Sequence, residues 1–231
     1  KKALRGMRRR ELLRIALSSM VGVSDNARVA EALTGLACEF LAGILSLART
    51  PEDGIEFAII AMGRFGGGEL SFGSDLDVVY VFRDNGAGAN ASQVAAEIVK
   101  NITLLSEDVL FPVDLDAGLR PEGKNGPLVR SLEAFSQYYQ RWALGWEAQA
   151  LLRAASCVGE ESLHDDFLEM AAPYRYPVSF SDDQAREIRR IKARVEAERL
   201  PQGADSSRHL KLGRGSLSDV EWGIQLLQLQ H

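Results

Sequence analysis

The sequence predicts an α/β (α+β) fold with a small mixed sheet over residues 1–120, followed by an all-helical domain over residues 121–231. Two apolar runs, 55–62 and 76–82, have the length and the branched and aromatic residues that are typical of buried strands. Four glycines fall within six positions between these runs, which predicts a tight turn joining the two strands. In the second part, the apolar residues recur almost throughout at helical spacing, which indicates the change of fold class.

Two helices are predicted before the first strand. Residues 8–20 carry apolar side chains on one side of a helix. Asp25 can cap a longer helix whose apolar residues recur every three or four positions, and Thr50 followed by Pro51 ends it. We expect this helical pair to pack on the sheet.

A further helix and a third strand follow the two central strands. Residues 83–91 are polar and contain glycine, which predicts a loop, and Ser92 can cap the next helix. Residues 111–117 then alternate apolar and acidic side chains, which predicts a strand. Pro112 lacks a backbone donor, so this strand begins there or lies at an edge.

Residues 121–231 are predicted to form helices separated by breaks. Ser131 is predicted to cap the first of them, and two more are predicted over 146–158 and 162–171, before a break at Pro173. Ser181 and Gln184 have the spacing of a capping box at the start of the next helix. A final helix is predicted from about Asp219, after the glycine turn 212–216.

Composition excludes several classes of protein. The chain has 46% hydrophobic and 26% charged residues, which is typical of a soluble globular protein. Its net charge of -5 argues against a general nucleic-acid binder. No run of eighteen apolar residues is present, so we expect no membrane span. Two cysteines, Cys38 and Cys157, cannot build a disulfide framework, which predicts a reducing, cytoplasmic location with Cys38 in the core.

Both termini suggest that the sequence is a segment of a longer protein. The chain does not begin with methionine, and it ends in an apolar, helix-like stretch. We therefore expect a C-terminally truncated helical domain.

A pair of carboxylates stands at the start of the second central strand. Asp75 and Asp77 are two positions apart, so both side chains point to the same face of a strand. Charge repulsion opposes this arrangement unless a cation binds there, and oxygen ligands alone favour Mg2+. Asp114 and Asp116 share a face of the third strand, and either could complete a three-carboxylate site. The alternative interpretation is a pair of solvated acids at the mouth of a strand.

The combination of carboxylates and glycine turn points to two-metal phosphoryl or nucleotidyl transfer. In that chemistry the ions orient the attacking oxygen and neutralise the leaving pyrophosphate. Glycines 63, 66 and 67 leave the backbone amides of the turn open to close approach by phosphate groups.

Five motifs together resemble one family of enzymes. They are GRFGGGEL at 63–70, SDLD at 74–77, Asp116 with LRP at 119–121, GPLV at 126–129, and KLGRGSLSDVE at 211–221. The strand with Asp-x-Asp after a glycine turn is similar to the polymerase-beta type of nucleotidyltransferase. The set as a whole resembles the glutamine synthetase adenylyltransferase family over nearly the whole chain, which implies a nucleotidyltransferase core.

This resemblance implies a Mg2+-dependent transferase that moves AMP from ATP to a tyrosine hydroxyl of glutamine synthetase and so regulates nitrogen metabolism. Family members contain two such catalytic units. The LRPEG motif and the basic lead-in GMRRRELLRIAL look more like the C-terminal, adenylylating unit. The alternatives are the unit that removes AMP by phosphorolysis, a nucleotidyltransferase acting on a small molecule, and a non-catalytic nucleotide-binding or partner-binding module. A PII-type signalling protein is a further partner implied for the full-length chain.

The resemblance also assigns roles to individual residues. Asp75, Asp77 and Asp116 would bind the metal ions and carry catalysis. Asp116 would be the proton acceptor, with Asp114 as the alternative. The nucleotide-binding positions would be Gly63, Arg64, Gly66, Gly67, Ser74 and Arg120.

Several of these positions also have a structural interpretation. Arg64 could be a solvated turn arginine, Ser74 could brace the turn, and Arg120 could pair with acids of the helical part. The family commonly has arginine where this chain has Gly118, so any role of that side chain is lost here. Lys211 and Arg214 flank a glycine turn that could bind an anion or simply end a helix.

Overall fold

A computed structural model of the chain describes residues 1–50, 52–142, 144–201, 203–205 and 207–231. Within these ranges the fold is mixed α/β, with five strands in one small mixed sheet. The strands are β1 (Ile55–Ala61), β2 (Leu76–Asp84), β3 (Leu115–Asp116), β4 (Val129–Ser131) and β5 (Ala155–Gly159). The helices are α1 (Lys2–Met20), α2 (Asn26–Ala48), α3 (Gly63–Gly66), α4 (Ala91–Ser106), α5 (Leu132–Arg141), α6 (Gly145–Leu151), α7 (Glu161–Arg175), α8 (Asp182–Arg199) and α9 (Leu217–Gln230).

The chain divides into two compact units. The first unit consists of residues 1–142 and 153–168, and the second consists of residues 143–152 and 169–231. All five strands of the described sheet belong to the first unit. The assignment of residues 1–120 to a catalytic core and of residues 121–231 to a second domain stays a prediction.

The two central strands predicted from the sequence are confirmed. Strands β1 and β2 pair antiparallel, from Ile55 opposite Asp84 to Ala61 opposite Val78. β5 pairs antiparallel with the other side of β1, while β3 and β4 pair parallel with β2 at different points along its length. The order is β3-β2-β1-β5, so the Asp-x-Asp strand lies inside the sheet.

Helices α1, α2 and α4 provide the core that packs with this sheet. Asp25 caps α2 as predicted, because its carboxylate accepts a hydrogen bond from the amide of Arg28. The predicted stop at Thr50 is close, since α2 ends at Ala48; Pro51 lies outside the described residues. The buried side chains of α2 are Val29, Leu33, Ala37, Phe40, Leu41, Ile44, Leu45 and Ala48.

Among the described helices, α2 alone has the length and apolar composition that a membrane crossing needs. Its buried face belongs to the hydrophobic core of the first unit.

Four predictions about local structure are wrong. The helix predicted over 146–158 ends at Leu151, and β5 takes up the last part of it. The part 121–231 is not all helical, because it contains strands β4 and β5. The free side of β1 supplies hydrogen-bonding partners to residues 155–159, and such tertiary pairing overrides helical periodicity. Pro173 lies inside α7 and does not end it. Ser92 is not a cap, because α4 begins at Ala91.

The second unit contains a small core of its own. Leu152, Ile188 and Leu229 are buried together, with Trp222 packed against them. The predicted capping box at the start of α8 is confirmed: the Ser181 hydroxyl accepts from the amide of Gln184, and the Gln184 side chain accepts from the amide of Ser181.

Candidate active site

Three carboxylates converge at the start of β2. Asp75, Asp77 and Asp116 each present an oxygen atom, and these oxygens all lie within 4.8 Å of one another. Each of the three residues is half-buried. The parallel register places Asp77 directly opposite Asp116, which brings the third carboxylate to the first two.

The register also separates the two candidates for the third carboxylate. The backbone of Asp114 accepts a hydrogen bond from the amide of Leu76 at 2.8 Å, while its side chain is exposed. Among the described residues, the acidic cluster includes Asp116 and does not include Asp114. The amide of Gly118 donates to Asp116 Oδ1 at 2.7 Å, which fixes the orientation of that carboxylate.

The glycine turn lies directly against this cluster. Gly63 has φ +51°, and a Cβ there would lie 2.2 Å from Asp77 Oδ2. A side chain at position 63 would therefore displace the carboxylate of Asp77. The amide of Met62 donates to the backbone oxygen of Asp77 at 2.9 Å, which holds the turn and β2 together.

The other two glycines assigned to the nucleotide differ in their surroundings. A Cβ at Gly66 would lie 1.8 Å from the backbone oxygen of Arg153, so only glycine fits the space. A Cβ at Gly67 would meet nothing closer than 3.4 Å, and this residue is exposed. Packing thus explains Gly66, whereas Gly67 is open to solvent. Contact of all three glycines with a triphosphate stays a prediction.

Arg64 is the cation nearest to Asp75 in this turn. Its Nη2 atom lies 3.6 Å from Asp75 Oδ1, beyond hydrogen-bond distance, and its side chain is 40% exposed. The guanidinium can therefore leave the carboxylate without breaking a hydrogen bond to it.

Two of the predicted nucleotide contacts have partners within the protein. Ser74 Oγ accepts from the amide of Ser71 and lies 3.0 Å from Ser71 Oγ, so this hydroxyl braces the turn. Arg120 donates to the backbone oxygens of Ala117, Lys124 and Gly126. Partial burial lowers the pKa of Arg120, which the nearby Asp116 opposes. Both residues have structural partners in the site, and their roles toward a nucleotide stay predictions.

The structure adds two groups that the sequence did not point to. The backbone oxygen of Arg153 closes the space over Gly66, and the Arg153 side chain forms an ion pair with Glu69 at 3.0 Å. The residue lies in the stretch predicted as helix, so no sequence signal connected it with the turn. The other group is the backbone amide of Gly118, which donates to Asp116. A contact made by the backbone cannot be predicted from the identity of a side chain.

The glycine turn of the second unit is closed by its own hydrogen bonds. Asp219 accepts from the amide of Gly215, and the hydroxyl of Ser216 donates to the backbone oxygen of Lys211. Lys211 and Arg214 are both exposed. Anion binding at this turn stays a prediction.

Comparison with known proteins identifies the family. The family model described as glutamate-ammonia ligase adenylyltransferase matches residues 1–170. The chain belongs to this family.

Members of the family include close relatives over nearly the full chain. A protein of Leifsonia xyli subsp. xyli is 56% identical over 99% of this chain and 23% of its own length. Proteins of Mycobacterium avium and Mycobacterium tuberculosis are 46% and 47% identical over 98% of this chain, which is 24% of theirs. All three are named bifunctional glutamine synthetase adenylyltransferase/adenylyl-removing enzyme. The chain therefore spans about a quarter of the length of the curated relatives that it matches.

Proposed function

We propose that this chain is a nucleotidyltransferase unit that moves AMP from ATP to a tyrosine hydroxyl of glutamine synthetase. The observation that carries the proposal is the convergence of Asp75, Asp77 and Asp116 within 4.8 Å beside the glycine turn. Membership of the glutamate-ammonia ligase adenylyltransferase family supports the choice of substrate.

The carboxylate cluster fits Mg2+. Its donor set consists of oxygen atoms from three acids, which suits a hard cation, and three like charges at this separation repel one another without one. Asp75, Asp77 and Asp116 would hold the ions. When bound, magnesium supplies positive charge that orients the reacting oxygens and offsets the charge of the leaving group.

The proposed transfer is a single displacement at phosphorus. The tyrosine oxygen forms a bond to the α-phosphorus of ATP, the bond from that phosphorus to the bridging oxygen breaks, and pyrophosphate leaves with the electron pair. The hydroxyl proton passes to a carboxylate. Asp116 is the best candidate for this role, because the amide of Gly118 holds one of its oxygens and leaves the other to accept.

The glycine turn would position the triphosphate for this displacement. Amide groups at the start of a helix have no partner within the helix, and α3 begins at Gly63, beside Asp77. The Arg64 guanidinium lies 3.6 Å from Asp75 and could move from that carboxylate to a phosphate oxygen of the bound nucleotide.

A second candidate function is the removal of AMP from glutamine synthetase. The relatives' names include both transfer and removal of AMP. We favour the transferring direction because of the LRPEG motif and the basic lead-in to α1. In the alternative, a phosphate oxygen forms a bond to the phosphorus of the tyrosine-bound AMP, the bond from that phosphorus to the tyrosine oxygen breaks, and ADP forms while the leaving tyrosine oxygen takes up a proton.

We further propose a cytoplasmic setting and an indirect partner. Two free cysteines suit a reducing compartment. The acidic net charge argues against nucleic acid as a partner, and we propose no membrane partner. A PII-type signalling protein would act through the full-length protein.

The experiment is an AMP-transfer assay with purified glutamine synthetase, labelled ATP and Mg2+. The wild-type chain should label the tyrosine and release pyrophosphate, and Asp75→Asn should reduce the rate by about 10³-fold or more, because a metal ligand is lost. Glu97→Gln removes an exposed acid of α4 and serves as the matched control with unchanged rate.

Three other outcomes would count against the proposal in different ways. Undiminished transfer by Asp75→Asn would exclude the carboxylate site. Release of ADP from adenylylated glutamine synthetase, with phosphate and without forward transfer, would assign the removing direction. Binding of Mg2+-ATP without either reaction would indicate a non-catalytic module.

A further inference from the structure

The two cysteines of the chain meet inside the first unit. Cys38 Sγ and Cys157 Sγ lie 3.1 Å apart, although 119 residues separate them in the sequence. The chain contains no other cysteine, and both thiols are free. Both residues are half-buried against the main hydrophobic core. The sequence suggested only that Cys38 is a core residue.

A local irregularity of the sheet brings Cys157 to this contact. In the pairing of β5 with β1, Val158 lies opposite Ile59, whereas Ser156 lies opposite Ile60. Cys157 is therefore the extra residue of a β-bulge and has no partner across the strand. Bulges redirect a side chain relative to regular pairing. Here the thiol meets Cys38 on the neighbouring helix α2.

The contact places each thiol beside a partner for oxidation. Either sulfur can donate the hydrogen bond that joins them. The thiolate is the form that reacts with oxidants. Whichever cysteine reacts first, the other thiol lies 3.1 Å away and is placed to resolve its oxidised form.

We propose that Cys38 and Cys157 form a reversible thiol–disulfide modification site whose oxidant is a peroxide. The thiolate of one cysteine attacks one oxygen of the peroxide, the O–O bond breaks, and that sulfur becomes a sulfenic acid while the departing oxygen takes up a proton and leaves as water or alcohol. The sulfur of the other cysteine then attacks the sulfenic sulfur, an S–S bond forms, and the sulfenic oxygen leaves as water with the proton of the attacking thiol. The two thiols lose two electrons in total, which the peroxide gains.

The disulfide would connect α2 to the strand beside the glycine turn. The two sulfurs have to approach from 3.1 Å to about 2.05 Å. Because β5 pairs with β1 up to Ala61, the new bond would restrain the edge of the sheet next to Gly63 and Gly66. The proposal does not depend on the proposed function, since the chemistry involves only the two thiols.

The experiment is peptide mapping of the wild-type chain after treatment with hydrogen peroxide. Remaining thiols are blocked before digestion, and the peptide masses are measured by mass spectrometry with and without a reducing agent. We expect one linked pair of peptides containing Cys38 and Cys157, lighter by two hydrogens than the separate peptides, that disappears on reduction. Oxidation should also raise the Tm of the first unit by roughly 5–15 °C, because a long loop is closed.

A matched reaction in denaturant separates native contact from chance encounter. The folded chain should form the link at least about tenfold faster than the unfolded chain, because the thiols are already in contact. Cys38→Ser and Cys157→Ser should each abolish the link.

Two results would overturn the proposal. One is that, after peroxide treatment, the blocking reagent still reacts with both thiols, or both thiols are oxidised to sulfinic acid, and no linked peptides are found. The other is a link that forms as fast in denaturant as in the folded chain.

Discussion

Acidic side chains cluster in two kinds of place in the first unit, and their surroundings differ. In the first kind, which we call the paired acids, guanidinium groups hold Asp53, Glu160 and Asp108. Arg49 bonds to Asp53 and Glu160 and also donates to the backbone oxygen of Ile55. The second kind is the carboxylate site of Asp75, Asp77 and Asp116, where Arg64 stands 3.6 Å from Asp75.

The difference shows how a structural acid is distinguished from a candidate metal ligand. The side chains of Asp53 and Asp108 are only 7% and 1% exposed, so charge compensation by arginine is needed for folding. Burial alone would raise the pKa of Asp53, but hydrogen bonds from Arg49 and from the amide of Ile55 outweigh it and lower the pKa. The Asp75 side chain is 42% exposed, so water or a cation can reach it. Acids that face one another and remain accessible are suited to bind an ion.

Arg49→Met should have the largest effect on stability. The change leaves the buried carboxylate of Asp53 without its guanidinium partner and removes a donor from Ile55, at a cost of about 3 kcal/mol in the free energy of unfolding. Chemical denaturation measures this loss.

Arg14→Met is the control, because the Arg14–Glu11 pair is exposed and should be worth less than about 0.5 kcal/mol. Equal effects of the two changes would mean that the paired acids do not depend on their arginines.

Acid should weaken the pairing of Asp108 with Arg9. Hydrogen bonds from Arg9 lower the pKa of Asp108 to about 2. Because the folded-state pKa lies below the unfolded value of about 3.9, the stabilisation is fully present above about pH 5 and is lost as the pH falls toward 2. The free-energy difference between wild type and Asp108→Asn should therefore shrink by roughly 2 kcal/mol over that range. A difference that stays constant with pH in urea unfolding would contradict the lowered pKa.

Gly63→Ala should have a smaller effect on stability but a specific effect on the carboxylate site. The new Cβ combines strain at φ +51° with overlap on Asp77 Oδ2, and we expect a loss of about 1–2 kcal/mol. Displacement of Asp77 should also weaken Mg2+ binding by about tenfold. Calorimetric titration with Mg2+ measures the binding.

Gly68→Ala is the matched control for this change. Gly68 has φ +70°, but a Cβ there would meet nothing within 4 Å. The Gly68→Ala variant should lose stability through backbone strain but should bind Mg2+ as the wild type does. Weaker Mg2+ binding in both variants would argue against a specific contact between position 63 and Asp77.

Local sequence signals predicted much of the first unit. Strands β1 and β2, the Asp25 cap and the glycine turn depend on neighbouring residues, and the structure has all of them. The sequence could not predict β5, because residues 155–159 become a strand only through the free side of β1.

The same limit applied to the candidate site. Asp75 and Asp77 could be paired from strand periodicity alone. The choice between Asp114 and Asp116 needed the register of β3 against β2, which is a long-range property. Arg120 and Ser74 have side chains that suit phosphate, yet the structure shows bonds to the protein's own backbone and to Ser71, which spacing could not reveal.

The most direct test of the account is a calorimetric titration of Mg2+-ATP into the wild type, Asp116→Asn and Asp114→Asn. The two acids are two positions apart, but only Asp116 belongs to the described cluster. If the three carboxylates bind the metal, Asp116→Asn should weaken binding by at least about tenfold, while Asp114→Asn binds as the wild type does. Equal binding by all three proteins would contradict a metal site built from Asp75, Asp77 and Asp116.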